Sequence, residues 1–136
     1  KLLEMLDDDQ FQSELNTFNL ELNLSPVTAA GKPFSKLTKE MLTKFNYLWM
    51  VAERIKTRPL AVGILPTLQK KHLSNKYLTN LGRYRILSRE LLKQRGEPFH
   101  IQIEGEEESI DFFTSEVCAE GANTSFQLAY VNLQYP

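Results

Sequence analysis

From Phe18 the chain alternates cleanly. Phe18, Leu20, Leu22 and Leu24 fall on one side, and Asn19, Glu21 and Asn23 on the other. That is the period of a half-buried β-strand. Just upstream the parity is reversed: Phe11 and Leu15 are apolar, and Gln12, Glu14 and Asn16 polar. One extra residue near Asn16–Thr17, a β-bulge, brings both polar sets onto one face. The pattern therefore predicts a bulged or broken strand over Phe11–Leu24 that turns Glu14 and Glu21 into the same space. The alternative is two strands whose glutamates are simply solvated.

The rest of the chain mixes both periods. Lys1–Leu6 is short and amphipathic, with a turn at Asp7–Asp9, and Ser25-Pro26 stops the strand region. Ser35 reads as the N-cap of a helix that runs to Arg58-Pro59. Its stripe is Leu37, Met41, Phe45, Leu48, Ala52 and Ile55, widened by Leu42 and Trp49, all expected in the core. Leu60–Leu65 is apolar throughout and reads as a central strand buried on both faces. Thr67–Leu81 is a basic loop with a helical turn near Asn75–Leu78. A second helix covers Arg83–Arg95, starting from Asn80 or Gly82 and capped by Gly96, with Tyr84, Leu87, Leu91 and Leu92 inward. Phe99–Glu104 alternates as a strand, and a turn spans Gly105–Ser109. Ile110–Asn123 is ambiguous apart from a helical turn around Glu116–Ala119, and Thr124–Leu133 reads as a last strand. Helices and strands intermingle without repeats, so the class is α+β, a partial antiparallel sheet packed against helices, in a single domain or part of one.

Composition narrows the function classes. The chain has 136 residues, 42% hydrophobic and 24% charged, enough for a real core and too apolar for disorder. No apolar run reaches the roughly 18 residues needed to span a bilayer, so no membrane role is expected. The start lacks both a signal-peptide pattern and an initiator Met, which suggests a processed or excised piece. One cysteine, Cys118, excludes an internal disulfide and fits a reducing, cytoplasmic setting. That cysteine and the two histidines, His72 and His100, make a zinc site a poor fit. Net charge is −1 but segregated: residues 69–95 carry eight Lys/Arg and one acid, and residues 97–136 carry eight acids and no base. The basic run, with Tyr77 and Tyr84 interleaved, admits nucleic-acid binding; the acidic C-terminal third argues against it.

Four groups of residues could carry chemistry. Glu14 and Glu21, if they share a cavity, must bind a cation, share a proton or pair with bases. Gln127, an amide in an otherwise apolar run, needs a partner and can offer its carbonyl oxygen to a cation. Gly82-Arg83-Tyr84-Arg85 places guanidinium groups where a helix start already favours anions. Glu120–Ser125 contains Asn123, Thr124 and Ser125, whose amide and hydroxyls could contact a small polar substrate or merely form a turn. No P-loop, dinucleotide fingerprint or nucleophile elbow is present.

In order, FQSELNTFNLELN, AVGILPTL, GRYRILSRELLKQRG, IQIEG and EGANTSFQLAYV resemble the glutamate–cysteine ligase superfamily of carboxylate–amine ligases. The resemblance spans most of Phe11–Leu133. It implies a fold like the catalytic domain of glutamine synthetase. It also implies formation of a γ-glutamyl-type amide bond through an acyl-phosphate, using ATP, Mg²⁺ and amino-acid substrates, as in glutathione biosynthesis. Under it Glu14, Glu21 and Gln127 are metal ligands, Arg83 is catalytic, and Arg83 and Tyr84 contact the nucleotide. Family chains are much longer, so this one is expected to be an internal fragment, inactive alone. The rival expectation is a binding or interaction domain without chemistry.

Overall fold

The computed structural model describes residues 1–129. It is a mixed α+β arrangement with two separate two-stranded antiparallel sheets, β1 (Phe11–Ser13) with β2 (Leu20–Leu22), and β3 (Phe99–Glu104) with β4 (Ser109–Thr114). Two helices, α1 (Pro33–Glu53) and α2 (Gly82–Arg95), and short 3-10 segments complete the described residues.

The first strand region is a hairpin, not one bulged strand. Phe11 pairs with Leu22, Gln12 with Glu21 and Ser13 with Leu20, and residues 14–19 form the connecting loop. Reversed parity has two solutions, an inserted residue or a reversal of the chain. Reversal wins because it puts Phe11, Leu20 and Leu22 on one face, packed with Leu6 against Leu48 and Val51 of α1. The open end of the hairpin is tied to the same helix. Glu40 Oε1 accepts from Gln10 Nε2 (2.9 Å), Ser25 N (3.0 Å) and Ser25 Oγ (2.7 Å). These donors, Gln10 foremost, hold the Glu40 carboxyl below its usual range. Lys44 Nζ donates to Asp8 and does the same there.

α1 begins earlier than the hydroxyl at Ser35 suggests. Pro33 occupies the first turn, where its missing N–H costs nothing, and Lys32 precedes it. The helix ends at Glu53, short of Arg58, in a turn with Lys56 at φ 54°. Its buried side is Leu48, Val51 and Ala52, while Trp49 is half exposed and its Nε1 donates to Pro59 O (3.1 Å). Trp49 is therefore not core: it sits about 100° around the helix from Leu48.

Leu60–Leu65 is not a buried strand. Leu60 and Ile64 are more than half exposed, and one bridge, Ile64 to Asn123, is its only ladder contact among the described residues. Two-stranded sheets offer no central position to cover both of its faces. α2 matches expectation, with Gly96 in the left-handed region (φ 78°) and its N–H on Leu92 O (2.9 Å). Tyr84 is buried and Leu91 packs on its cluster, but Leu87 is exposed. β4 occupies the first part of the stretch that pattern left ambiguous, and Val117–Ala122 is the 3-10 turn expected nearby. Residues 124–129 are not a strand, and Phe126 and Leu128 are exposed. Positions 130–133 of that expected strand lie outside the described residues.

Candidate functional site

The loop of the first hairpin anchors the site. Asn16 is fully buried and its Nδ2 donates to Cys118 O (2.8 Å), while Asn19 Nδ2 donates to Gly121 O (2.5 Å). Backbone bonds from Thr17 N to Tyr77 O (2.8 Å) and from Thr79 N to Leu15 O (2.9 Å) fix the other side. Leu15, Leu78, Tyr84, Val117 and Cys118 fill the space between. Burial, and secondarily the charge of Glu116, pushes the Cys118 thiol up, so it is a packing residue rather than a nucleophile.

Beside this anchor lies an open cleft of about 590 Å³ between β1 and the start of α2, lined by Gln12, Ser13, Gly82 and Arg83 with Leu3 and Phe11. Arg83 is exposed, with its guanidinium 4.6 Å from the centre of the Tyr84 ring and Nη2 donating to Tyr84 Oη (2.6 Å). Tyr84 Oη in turn donates to Ser13 O (3.3 Å). The start of α2 carries no side-chain cap and no acid in its first turn. Its dipole and orphan N–H groups favour an anion there. The arrangement is a held guanidinium beside an uncapped helix start, with an amide and a hydroxyl opposite.

The residues expected from sequence are placed unevenly. Arg83 lines the cleft. Tyr84 is buried in the core cluster, with its hydroxyl accepting from Arg83 and its ring beneath the Arg83 guanidinium. Glu21 stands opposite Gln12 in the ladder, on the strand pair that walls the cleft, and is half-buried. Glu14 is past the end of the ladder, and its Oε1 accepts from Leu15 N (2.7 Å). Gln127 is exposed on a segment whose start is tied elsewhere: Thr124 N donates to Gly63 O (2.8 Å) and Thr124 Oγ1 to Val62 O. Asn123 Nδ2 donates to Glu120 O (3.2 Å), so Asn123 and Thr124 use their polar groups on their own chain, and Ser125 is exposed. None of these three lines the cleft.

Glu14, Glu21 and Gln127 thus stand on three separate segments. Among the described residues no group of three His, Cys, Asp or Glu side chains is placed to hold a metal ion. Glu14 and Glu21 are oxygen donors of the kind Mg²⁺ takes, and the amide oxygen of Gln127 is another. Sequence pattern places Gln12 only among the polar positions of the strand region and does not single out Ser13. It also missed the buried Asn16, whose signal was an amide at the point where parity breaks.

No helix of the described residues is long and apolar enough to cross a membrane. Comparison of the chain with protein-family models, with curated proteins and with solved structures finds no match.

Proposed function

We propose that the chain is part of an ATP- and Mg²⁺-dependent carboxylate–amine ligase of the glutamate–cysteine ligase type. The reading rests on the resemblance and on one observation, the cleft in which Arg83 is held by Tyr84 beside the uncapped start of α2, against the strand that pairs with Glu21. In this reaction a substrate carboxylate oxygen attacks the γ-phosphorus of ATP and ADP leaves. The amine nitrogen then attacks the acyl carbon and phosphate leaves. Negative charge builds on the transferred phosphoryl group in the first step and on the departing phosphate in the second. A fixed guanidinium and free helix N–H groups suit both. Arg83 takes that role, with Gln12 and Ser13 orienting the group bound opposite. The resemblance also calls for Mg²⁺, with Glu14, Glu21 and Gln127 as its donors.

That the chain is a portion of a larger catalytic unit is supported by its surface. It exposes 10,992 Å², whereas a compact domain of its mass exposes about 7,300 Å². Phe34, Phe113, Phe126 and Leu128 are each more than 60% exposed, as expected of faces that pack on further chain. The same surface favours the second reading, an interaction domain with no chemistry. A cytoplasmic setting belongs to the first reading and agrees with the free thiol of Cys118.

The discriminating experiment follows phosphate release from ATP, dependent on glutamate and an amine, in the protein that carries this chain. Arg83→Ala is expected to lower turnover at least 100-fold, about 2.7 kcal/mol, and Glu21→Gln to lower Mg²⁺-dependent turnover; metal-dependent turnover left unchanged by Glu21→Gln counts against its role as a ligand. Turnover unchanged by Arg83→Ala, or absent with every amine tried, refutes the ligase and leaves the interaction domain.

A further inference from the structure

A second cleft, of about 480 Å³, lies on α2 away from Arg83, between Arg85, Ser88 and Arg89 of the helix and Asn75, Ser115 and Glu116. Its lining shares no residue with the first. We propose that it binds a small zwitterion, a molecule with one ammonium and one carboxylate group a few bonds apart.

The negative side is Glu116. A carboxylate can accept about four hydrogen bonds. Glu116 receives one to its side chain, from Asn75 Nδ2 to Oε1 (2.9 Å). Its Oε2 is shielded from solvent and has no partner. Among the described residues no Lys or Arg comes within ion-pair distance of it. A carboxyl oxygen left in that state is costly, and the last torsion of a Glu side chain is soft enough to turn it toward a donor in the cleft.

The positive side is Arg85 and Arg89. They are one helical turn apart and so share a face. Arg85 Nη2 meets Asn80 Oδ1 (2.6 Å) and Arg89 Nε meets Glu90 Oε1 (3.2 Å). With five N–H donors each, both guanidinium groups keep several free. The two opposite charges thus line one cleft without touching. A ligand that bridges them satisfies the carboxylate with its ammonium and the guanidinium fork with its carboxylate. Ser88 and Ser115 add neutral hydrogen-bonding groups. A simple anion would meet the arginines but be repelled by Glu116, and a simple cation the reverse. The charge pattern therefore selects for both charges together.

The test is a calorimetric or NMR titration of the chain with glycine, β-alanine and 4-aminobutyrate, against acetate and methylammonium as single-charge controls. The inference expects at least one of the three to bind at least tenfold more tightly than either control. Glu116→Gln should bring that ligand down to the level of acetate, and Arg85→Gln with Arg89→Gln down to the level of methylammonium, with the circular dichroism of each variant unchanged. The inference is overturned if no zwitterion exceeds the controls, or if acetate binds equally well, which marks an anion site alone. It also falls if Glu116→Gln leaves zwitterion affinity intact, or if the variant only lowers stability because an arginine closes onto Glu116. No nucleotide is needed and none of Arg83, Glu14 or Glu21 takes part, so the outcome is independent of the ligase reading.

Discussion

Gly121 is where the loop of the first hairpin presses hardest on the segment that follows β4, and a single methyl group tests that contact. A Cβ at position 121 would stand 2.6 Å from Leu15 Cδ2 and 3.0 Å from both Leu15 Cγ and Asn16 Nδ2. Leu15 is 5% exposed and Asn16 0%, so neither side chain has room to step aside. Overpacking of this kind costs about 1–3 kcal/mol. Against it stands the loss of unfolded-state freedom when Gly becomes Ala, worth about 0.4–1 kcal/mol in the other direction. The clash wins, and Gly121→Ala should destabilise by about 1–2 kcal/mol net. With a urea slope of about 1–3 kcal/mol per molar, the unfolding midpoint should fall by about 0.5–1 M. A double-mutant cycle isolates the cause. Leu15→Ala alone should cost about 2–5 kcal/mol. Adding Gly121→Ala to it places the new methyl in the vacated space, so the pair should cost about 1 kcal/mol less than the sum. A midpoint that stays put or rises in Gly121→Ala, or strict additivity in the double variant, refutes this packing.

Three further outcomes follow from the same contacts. Asp8 and Glu40 both have carboxyls held below their ordinary range, Asp8 first by Lys44 and Glu40 first by Gln10, so each contributes stability above its unfolded value near pH 4 that is lost as pH falls through the lower folded value. Melting followed from pH 6 to pH 2 should show a steep acid limb, and Asp8→Asn should flatten it; an unchanged limb counts against the Lys44 contact. Gly96→Ala forces a side chain into the left-handed region at φ 78° and should cost about 1 kcal/mol, read as a lower urea midpoint. Cys118 is fully buried with its thiol pushed up, so iodoacetamide should modify it only as fast as the chain opens; rapid labelling without denaturant would show the Leu15–Val117 cluster to be loose.

What the residue pattern disclosed depended on whether each signal is local. The period of Gly82–Arg95, its C-terminal glycine and the alternation of Phe99–Glu104 need no distant partner, and all three elements are present. The same holds for the α+β class. The start of α1 was misplaced because Ser35 is a good cap in isolation, while Pro33 two residues earlier is a better first-turn residue. The Phe11–Leu24 region shows a sharper limit. Its parity break at Asn16–Thr17 was correctly located, but a bulge and a reversal leave the same trace in sequence. Only the apolar face of α1 decides between them, and that is a contact about 30 residues away. For the site, Arg83 was visible because a helix start is a local feature. The cleft was not, because Gln12 and Ser13 enter it only after α2 folds back on β1.

The two misread strands bear on each other. Leu60–Leu65 is apolar throughout and the run from Thr124 largely so; pattern makes the first a central strand and the second a last strand. In the fold they meet: Ile64 bridges Asn123, and Thr124 N donates to Gly63 O (2.8 Å). Pairing begins there and stops after one bridge. A strand apolar on both faces needs a sheet neighbour and two covering layers. The described residues supply the first bond of the neighbour and neither layer. Hydrophobic periodicity records what a segment requires, not whether the chain in hand provides it. The exposure of Leu60, Ile64, Phe126 and Leu128 around this single bridge is thus the same fact as the failed expectation. Segments whose pattern suits a sheet interior stand at the surface because, among the described residues, nothing covers them. The ligase reading expects further chain to cover these apolar side chains, and the interaction-domain reading expects another protein to cover them.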